Sequence, residues 1–147
     1  MTSELSVGDE VARREVTVDR ARLVRYAGAS GDFNPIHWNA RVATAVGLPD
    51  VIAPPTFAVV VAQRAEAQLM EDPAAGIDFS RVVHADERFT HHRPIHAGDR
   101  LVTVLHVDSI TVRAGLAMIT TRAEISAEDG EPVATVVSTL AVRPEES

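Results

Sequence analysis

The sequence contains no cysteine and no lysine among its 147 residues. Without thiols, structural disulfides and thiolate catalysis are excluded, and the cytosol is the default compartment. Without lysine, all 14 Lys+Arg positions are arginine, a bias consistent with a GC-rich genome. Long apolar runs are missing as well. The longest, Phe57 to Ala62, is far too short to span a bilayer. Met1-Thr2-Ser3-Glu4 has neither the positive start nor the apolar core of a signal peptide, so a cytoplasmic protein without membrane contact is expected. A formal net charge of −7 argues against nucleic acid as a general partner. No repeat, linker or disordered tract is visible. What remains is one domain over 1–147, 46% hydrophobic and large enough for a real core.

Ser30-Gly31-Asp32-Phe33-Asn34-Pro35-Ile36-His37 concentrates a carboxylate, a carboxamide and an imidazole in a segment held out of regular structure. Gly31 permits backbone angles that other residues resist, and Pro35 fixes its own φ and pushes Asn34 away from helix. Asp32, Asn34 and His37 can therefore converge on one small volume, as proton transfer at a bound water requires. The same residue types also make an ordinary turn that caps a following helix, with His37 merely packed. The neighbours favour chemistry. Tyr26-Ala27-Gly28-Ala29 and the eight residues above, with Ala43 six residues after His37, closely resemble the signature of MaoC-like (R)-specific enoyl thioester hydratases and dehydratases. That resemblance implies a hot-dog fold, a catalytic water held by Asp32 and His37, and a site ordered by Asn34 with Ser30 and Gly31 beside it. It also implies a homodimer with joined sheets, an acyl tunnel near the interface, and no cofactor.

The rest of the chain is read from pattern. Val11 to Val18 resembles an edge strand. Asp19 caps a short helix that buries Leu23, Val24 and Ala27 and ends at Gly28. The motif loop runs over 26–43. Asn39 caps Ala40 to Val46, with Gly47 as the stop and Leu48 packing back. Pro49 to Pro55 connects to a central helix, Thr56 to Asp72, stopped by Pro73. Its first turns are apolar all round; its second half turns polar with Gln63, Arg64, Glu66, Gln68 and Glu71. Strands occupy about 80–142. Arg81 to His91 places Val83, Ala85, Glu87 and Phe89 opposite Val82, His84, Asp86 and Arg88. Leu101 to Ile110, Ala117 to Ile125 and Val133 to Val142 follow, with turns at Arg113-Ala114-Gly115 and Asp129-Gly130. Pro144 to Ser147 reads as a frayed tail. Helices followed by antiparallel strands mean α+β: a single domain with its sheet wrapped around one long helix.

Hydrating an enoyl thioester needs a base to sharpen water at C3, a proton for C2 and donors for the enolate oxygen. Asp32 is the expected base and His37 its proton partner. No metal is required, because amides at a helix N-terminus can polarise the carbonyl. The chain departs from its relatives here. Many carry His-Gly entering the central helix, with the Gly amide aimed at the thioester oxygen; Pro55 stands at that place and has no N–H. The amide or hydroxyl of Thr56, or a small loop shift that re-aims the helix end, is expected to substitute. Ala53-Pro54-Pro55-Thr56-Phe57, Ser80 to Phe89 and Arg93 to Asp99 resemble instead the non-catalytic, substrate-holding subunits of heterodimeric hydroxyacyl-carrier-protein dehydratases. A homodimer combining both roles is the simplest synthesis; a partner-dependent binding subunit is the alternative, and a thioesterase a third reading. Phe57, Val59 and Trp38 are expected to shape the acyl tunnel. Arg88, Arg93 and Arg100, with His91, His92 and His96, form a basic stretch that fits a pantetheine phosphate or an acidic carrier protein, or else a solvated strand and turn. His84 and His106 are expected as core or rim residues.

Overall fold

The computed structural model describes residues 8, 10–71 and 79–143. Strand β1 (Glu10–Thr17) leads into α1 (Arg20–Ser30), a 3-10 turn (Pro35–His37) and α2 (Ala40–Ala45). A second 3-10 turn (Pro55–Phe57) opens directly into the long helix α3 (Ala58–Glu71). Strands β2 (Val82–His91), β3 (Arg100–Arg113), β4 (Leu116–Ala127) and β5 (Pro132–Val142) complete one antiparallel sheet in the order β1-β3-β4-β5-β2. The expected stop at Pro73 and the tail from Pro144 lie outside the described residues.

The sheet closes on the helix because both carry the right stripe. Along β4, Ala117, Ile119, Thr121, Ala123 and Ile125 are buried in strict alternation, and β5 buries Val136, Ser138, Leu140 and Val142 in the same way. Against them α3 turns Ala58, Val61, Ala62, Ala65, Leu69 and Met70, and touches β1, β3, β4 and β5. The helix entry is less enclosed than its composition suggests, with Val59 and Val60 only half-buried. The β3–β4 hairpin turns through Ala114 and Gly115, both at positive φ (51° and 80°), the backbone a tight two-residue connection needs.

Three local expectations are corrected. Helix α1 does not end at Gly28: it runs to Ser30, and Gly31 is the left-handed cap at φ 76°. The start of the motif is therefore helical, and Val24 faces outward. Second, Glu66 is buried although it falls in the polar half of α3. Third, β2 does not alternate throughout. Its register shifts between His84 and Asp86, so one residue more stands on β2 than on β5. That bulge turns His84 and Glu87 to the same side, where both meet Glu66 or its neighbours. Burial, opposed in part by a hydrogen bond from Ser138, raises the Glu87 carboxyl above its ordinary range.

Leu69 is 2% exposed where α3 meets the sheet. Leu69→Ala should cost about 2–5 kcal/mol in urea unfolding. Val112→Ala, at a position 70% exposed, should change stability by under ~0.5 kcal/mol.

Candidate active site

The Asp–His pair is assembled by helix ends. Where α1 stops, the Asp32 amide donates to the Ala27 carbonyl at 2.9 Å, fixing the first residue beyond the cap. Asn34 then caps the 3-10 turn: its Oδ1 accepts from the Ile36 amide at 3.2 Å. That turn buries His37 to 5% exposure. Asn39 caps α2 in the same manner, accepting from Arg41 and Val42, and the Leu48 amide closes back on the Ala43 carbonyl at 3.0 Å. Gly47, at φ 94°, makes that reversal.

His37 is oriented by the connector after α2. Its Nδ1 lies 2.7 Å from the Ile52 carbonyl oxygen. A carbonyl only accepts, so Nδ1 carries the proton and donates. In the neutral ring Nε2 then presents a lone pair, and it faces Asp32 Oδ2 at 3.3 Å. Both atoms can accept, so a donor beside them can reach the pair together. The connector is itself pinned. The Ile52 amide donates to the Ile36 carbonyl at 3.0 Å, and the Ala53 amide to the Ile95 carbonyl at 2.7 Å. At its start, the Arg20 guanidinium beside Asp50 (2.6 and 3.0 Å) holds that carboxyl below the usual carboxylate range.

Asp32, Asn34 and His37 stand on the wall of a cavity of about 630 Å³. Ile36, Ile52, Ala53, Pro54, Pro55, Pro94 and Ile95 supply apolar lining, and His91, His92 and Arg93 complete it. An apolar chamber with a few converging polar groups is how small-molecule sites are built. Arg93 enters already committed. It forms paired hydrogen bonds with Asp99 at 2.9 and 3.0 Å, a third with the Pro94 carbonyl, and an ion pair with Glu131.

Other residues singled out in the sequence fall elsewhere. Ser30 turns its hydroxyl back to the Tyr26 carbonyl (2.8 Å), and Gly31 serves as the helix cap. Thr56 lies off the cavity lining, its hydroxyl 2.7 Å from the Tyr26 hydroxyl. Phe57 is buried edge-to-face on Tyr26, with centroids 5.2 Å apart. Val59 is a half-buried residue of α3, and Trp38 is exposed with its ring N–H donating to the Phe33 carbonyl. None of the three lines the cavity. Arg88 pairs with Asp86 and Arg100 with Glu128, both on exposed surface. Conversely, His91 and His92 line the chamber, although their run of basic residues reads equally as a solvated turn. Ile36, Ile52 and Ile95 fall inside or beside the motif stretches, but nothing local marks them as chamber lining.

One antiparallel sheet packed around a long helix, with an Asp–His pair at an apolar chamber, defines the hot-dog hydratase and dehydratase class. Residues 6–136 match the family model described as FAS1-like, dehydratase domain region, and the chain belongs to that family. A UPF0336 protein of Saccharopolyspora erythraea is 52% identical over 126 residues, covering 86% of this chain and 81% of that protein. Among solved structures, the C-terminally truncated HadBC complex, a (3R)-hydroxyacyl-ACP dehydratase from Mycobacterium tuberculosis, matches with TM-score 0.79 at 26% identity. The match covers 88% of this chain and 93% of that one. A MaoC-like dehydratase matches with TM-score 0.80 at 28% identity over 93% of this chain and 43% of its own length.

The carbonyl contact makes a spectroscopic prediction. Nitrogen-15 NMR of the neutral His37 ring should show its proton on Nδ1. A proton on Nε2 instead would contradict the geometry.

Proposed function

We propose that this protein interconverts trans-2-enoyl and (3R)-3-hydroxyacyl thioesters by adding or removing water. The observation that carries the reading is the orientation of His37. With Nδ1 spent on the Ile52 carbonyl, Nε2 and Asp32 form a two-acceptor cradle on the cavity wall. A water donating both hydrogens there keeps its lone pairs free for C3. In hydration the water oxygen bonds to C3, one of its protons passes to the Asp32–His37 pair, and a proton from the pair reaches C2. Dehydration runs the same steps backwards. Asp32 is the expected base and His37 the proton partner; neither direction is favoured by the geometry.

The thioester oxygen needs a donor, and the connector wall offers few. Pro54, Pro55 and Pro94 have no N–H, while the Ile52 and Ala53 amides are engaged. Asn34 remains: because its Oδ1 accepts from Ile36, its NH2 is the free end, able to order the water or the thioester. The family resemblance supplies the substrate class, a CoA or carrier-protein thioester in the cytoplasm, with no cofactor or metal in this reaction. Among the described residues no helix is long and apolar enough to cross a membrane. The largely exposed strand β2 at one sheet edge is the surface through which a homodimer, or a heterodimer with a paralogous hot-dog chain, would join its sheets.

A second reading has its own support. The proline-rich wall, with the Ile52 and Ala53 amides already engaged, suits a chain that holds the acyl group while a partner supplies the chemistry. A thioesterase has less, since Glu66 and Glu87 do not line the cavity.

Loss of enoyl absorbance on incubating crotonyl-CoA with the purified chain tests the proposal. Wild type should be active and yield the (3R) product, and Asp32→Asn and His37→Ala should each lower kcat by about 10²–10⁴-fold. No wild-type activity on short and longer enoyl thioesters alike would sink it in favour of the partner-dependent subunit.

A further inference from the structure

A second polar group lies away from the cavity, between α3 and the strands that cover it. Glu66 of α3 meets His84 and Glu87 of β2, and one ligand atom from each lies within 4.8 Å of the other two. His84 Nε2 stands 3.3 Å from Glu66 Oε2 and 3.9 Å from Glu87 Oε1. Bonds of about 2.0–2.2 Å from one ion to nitrogen and oxygen ligands place those ligands roughly 3–3.6 Å apart. The group is thus nearly at coordinating separation.

The surroundings prepare the same three atoms. Thr121 donates to Glu66 Oε1 at 3.4 Å, and Ser138 donates to Glu87 Oε2 at 2.7 Å. Both hydroxyl residues are fully buried and sit opposite each other in the β4–β5 register. Each carboxylate therefore has one oxygen held by a hydroxyl and its other oxygen on the His84 side. Hydrogen bonds of that kind are what orient carboxylate ligands around a metal. Glu87 Oε1 is buried and has no hydrogen-bond partner, a cost that a bound cation would remove. Glu66 is 1% exposed, whereas the His84 side chain is 37% exposed. The imidazole marks the side from which an ion and a completing water would enter.

The geometry points to a divalent transition-metal site with Glu66 Oε2, His84 Nε2 and Glu87 Oε1 as its protein ligands. One imidazole and two carboxylates suit zinc or manganese better than the soft monovalent ions. The ion would clamp α3 to the edge strand β2. None of the three residues lines the cavity, so the inference does not depend on the reaction assigned there.

Zinc and cobalt are the probes, added to the metal-free full chain and followed by equilibrium dialysis, the visible spectrum of bound Co2+, and thermal unfolding. About one ion per chain should bind, with a tetrahedral or five-coordinate cobalt spectrum, and raise the unfolding temperature by mass action. Glu66→Gln and His84→Ala should abolish stoichiometric binding. Ser138→Ala should weaken it by roughly 10–100-fold. Asp86→Asn, on the exposed side of the same strand, should change nothing. Glu87→Gln keeps the shape and a hydrogen-bond acceptor for Ser138, so a folded Glu87→Gln protein that no longer binds separates ligand loss from misfolding. Sub-stoichiometric binding by wild type, or unchanged affinity in folded Glu66→Gln and Glu87→Gln proteins, would overturn the site.

Discussion

The hydrogen bond from His37 to the Ile52 carbonyl is the contact on which the cavity depends. It is 2.7 Å long, selects the imidazole tautomer, and joins the motif to a connector fifteen residues away. The connector is in turn held by residues far along the chain. Ala53 donates to Ile95, Ala97 donates to Val51, Gly98 donates to Val18, and Val18 donates to Asp99. The imidazole is thereby aimed by a lattice reaching from β1 to the segment before β3. A side chain whose rotamer is set this way needs little reorganisation when a ligand arrives.

Asp99 carries the far side of the same arrangement. It is 6% exposed, receives two hydrogen bonds from Arg93 and one from the His96 amide, and so holds the corner that forms the opposite wall. Removing one member of such a pair leaves a buried charge without its partner, which is expensive. That explains why the basic stretch at 91–96 contributes walls more than free cations. Arg93 reaches the chamber but uses its guanidinium to build it. The prolines at 54, 55 and 94 have the same character: they stiffen the wall and withhold donors from it.

On the other face of α3 a different constraint acts. The helix carries a carboxylate, Glu66, into a sheet interior that is otherwise largely apolar, and the sheet answers with Thr121, Ser138 and the bulged pair His84 and Glu87. A buried carboxylate survives only with partners, so these five residues act as one unit. The bulge makes the unit possible, because strict alternation would place His84 and Glu87 on opposite sides of β2.

Much of this was present in local sequence. Asp19 and Asn39 declare their caps, Gly47 declares a reversal, and the alternation in β4 and β5 shows which face is buried. Those features act over a few residues, so their physics is complete within the window that displays them. The family signature from Tyr26 to His37 likewise singled out Asp32 and His37, and the fold brings the two to 3.3 Å. Tertiary structure alone decided the rest. Which carbonyl orients His37, which residues face the chamber in place of Thr56, Phe57, Val59 and Trp38, and how Arg93 is spent all follow from contacts between distant segments. The extra residue in β2 is equally silent, since a bulge is defined by its partner strand and not by its own sequence. Periodicity reports the side a residue faces only while the register stays regular; once strands slip past one another, the pairing decides.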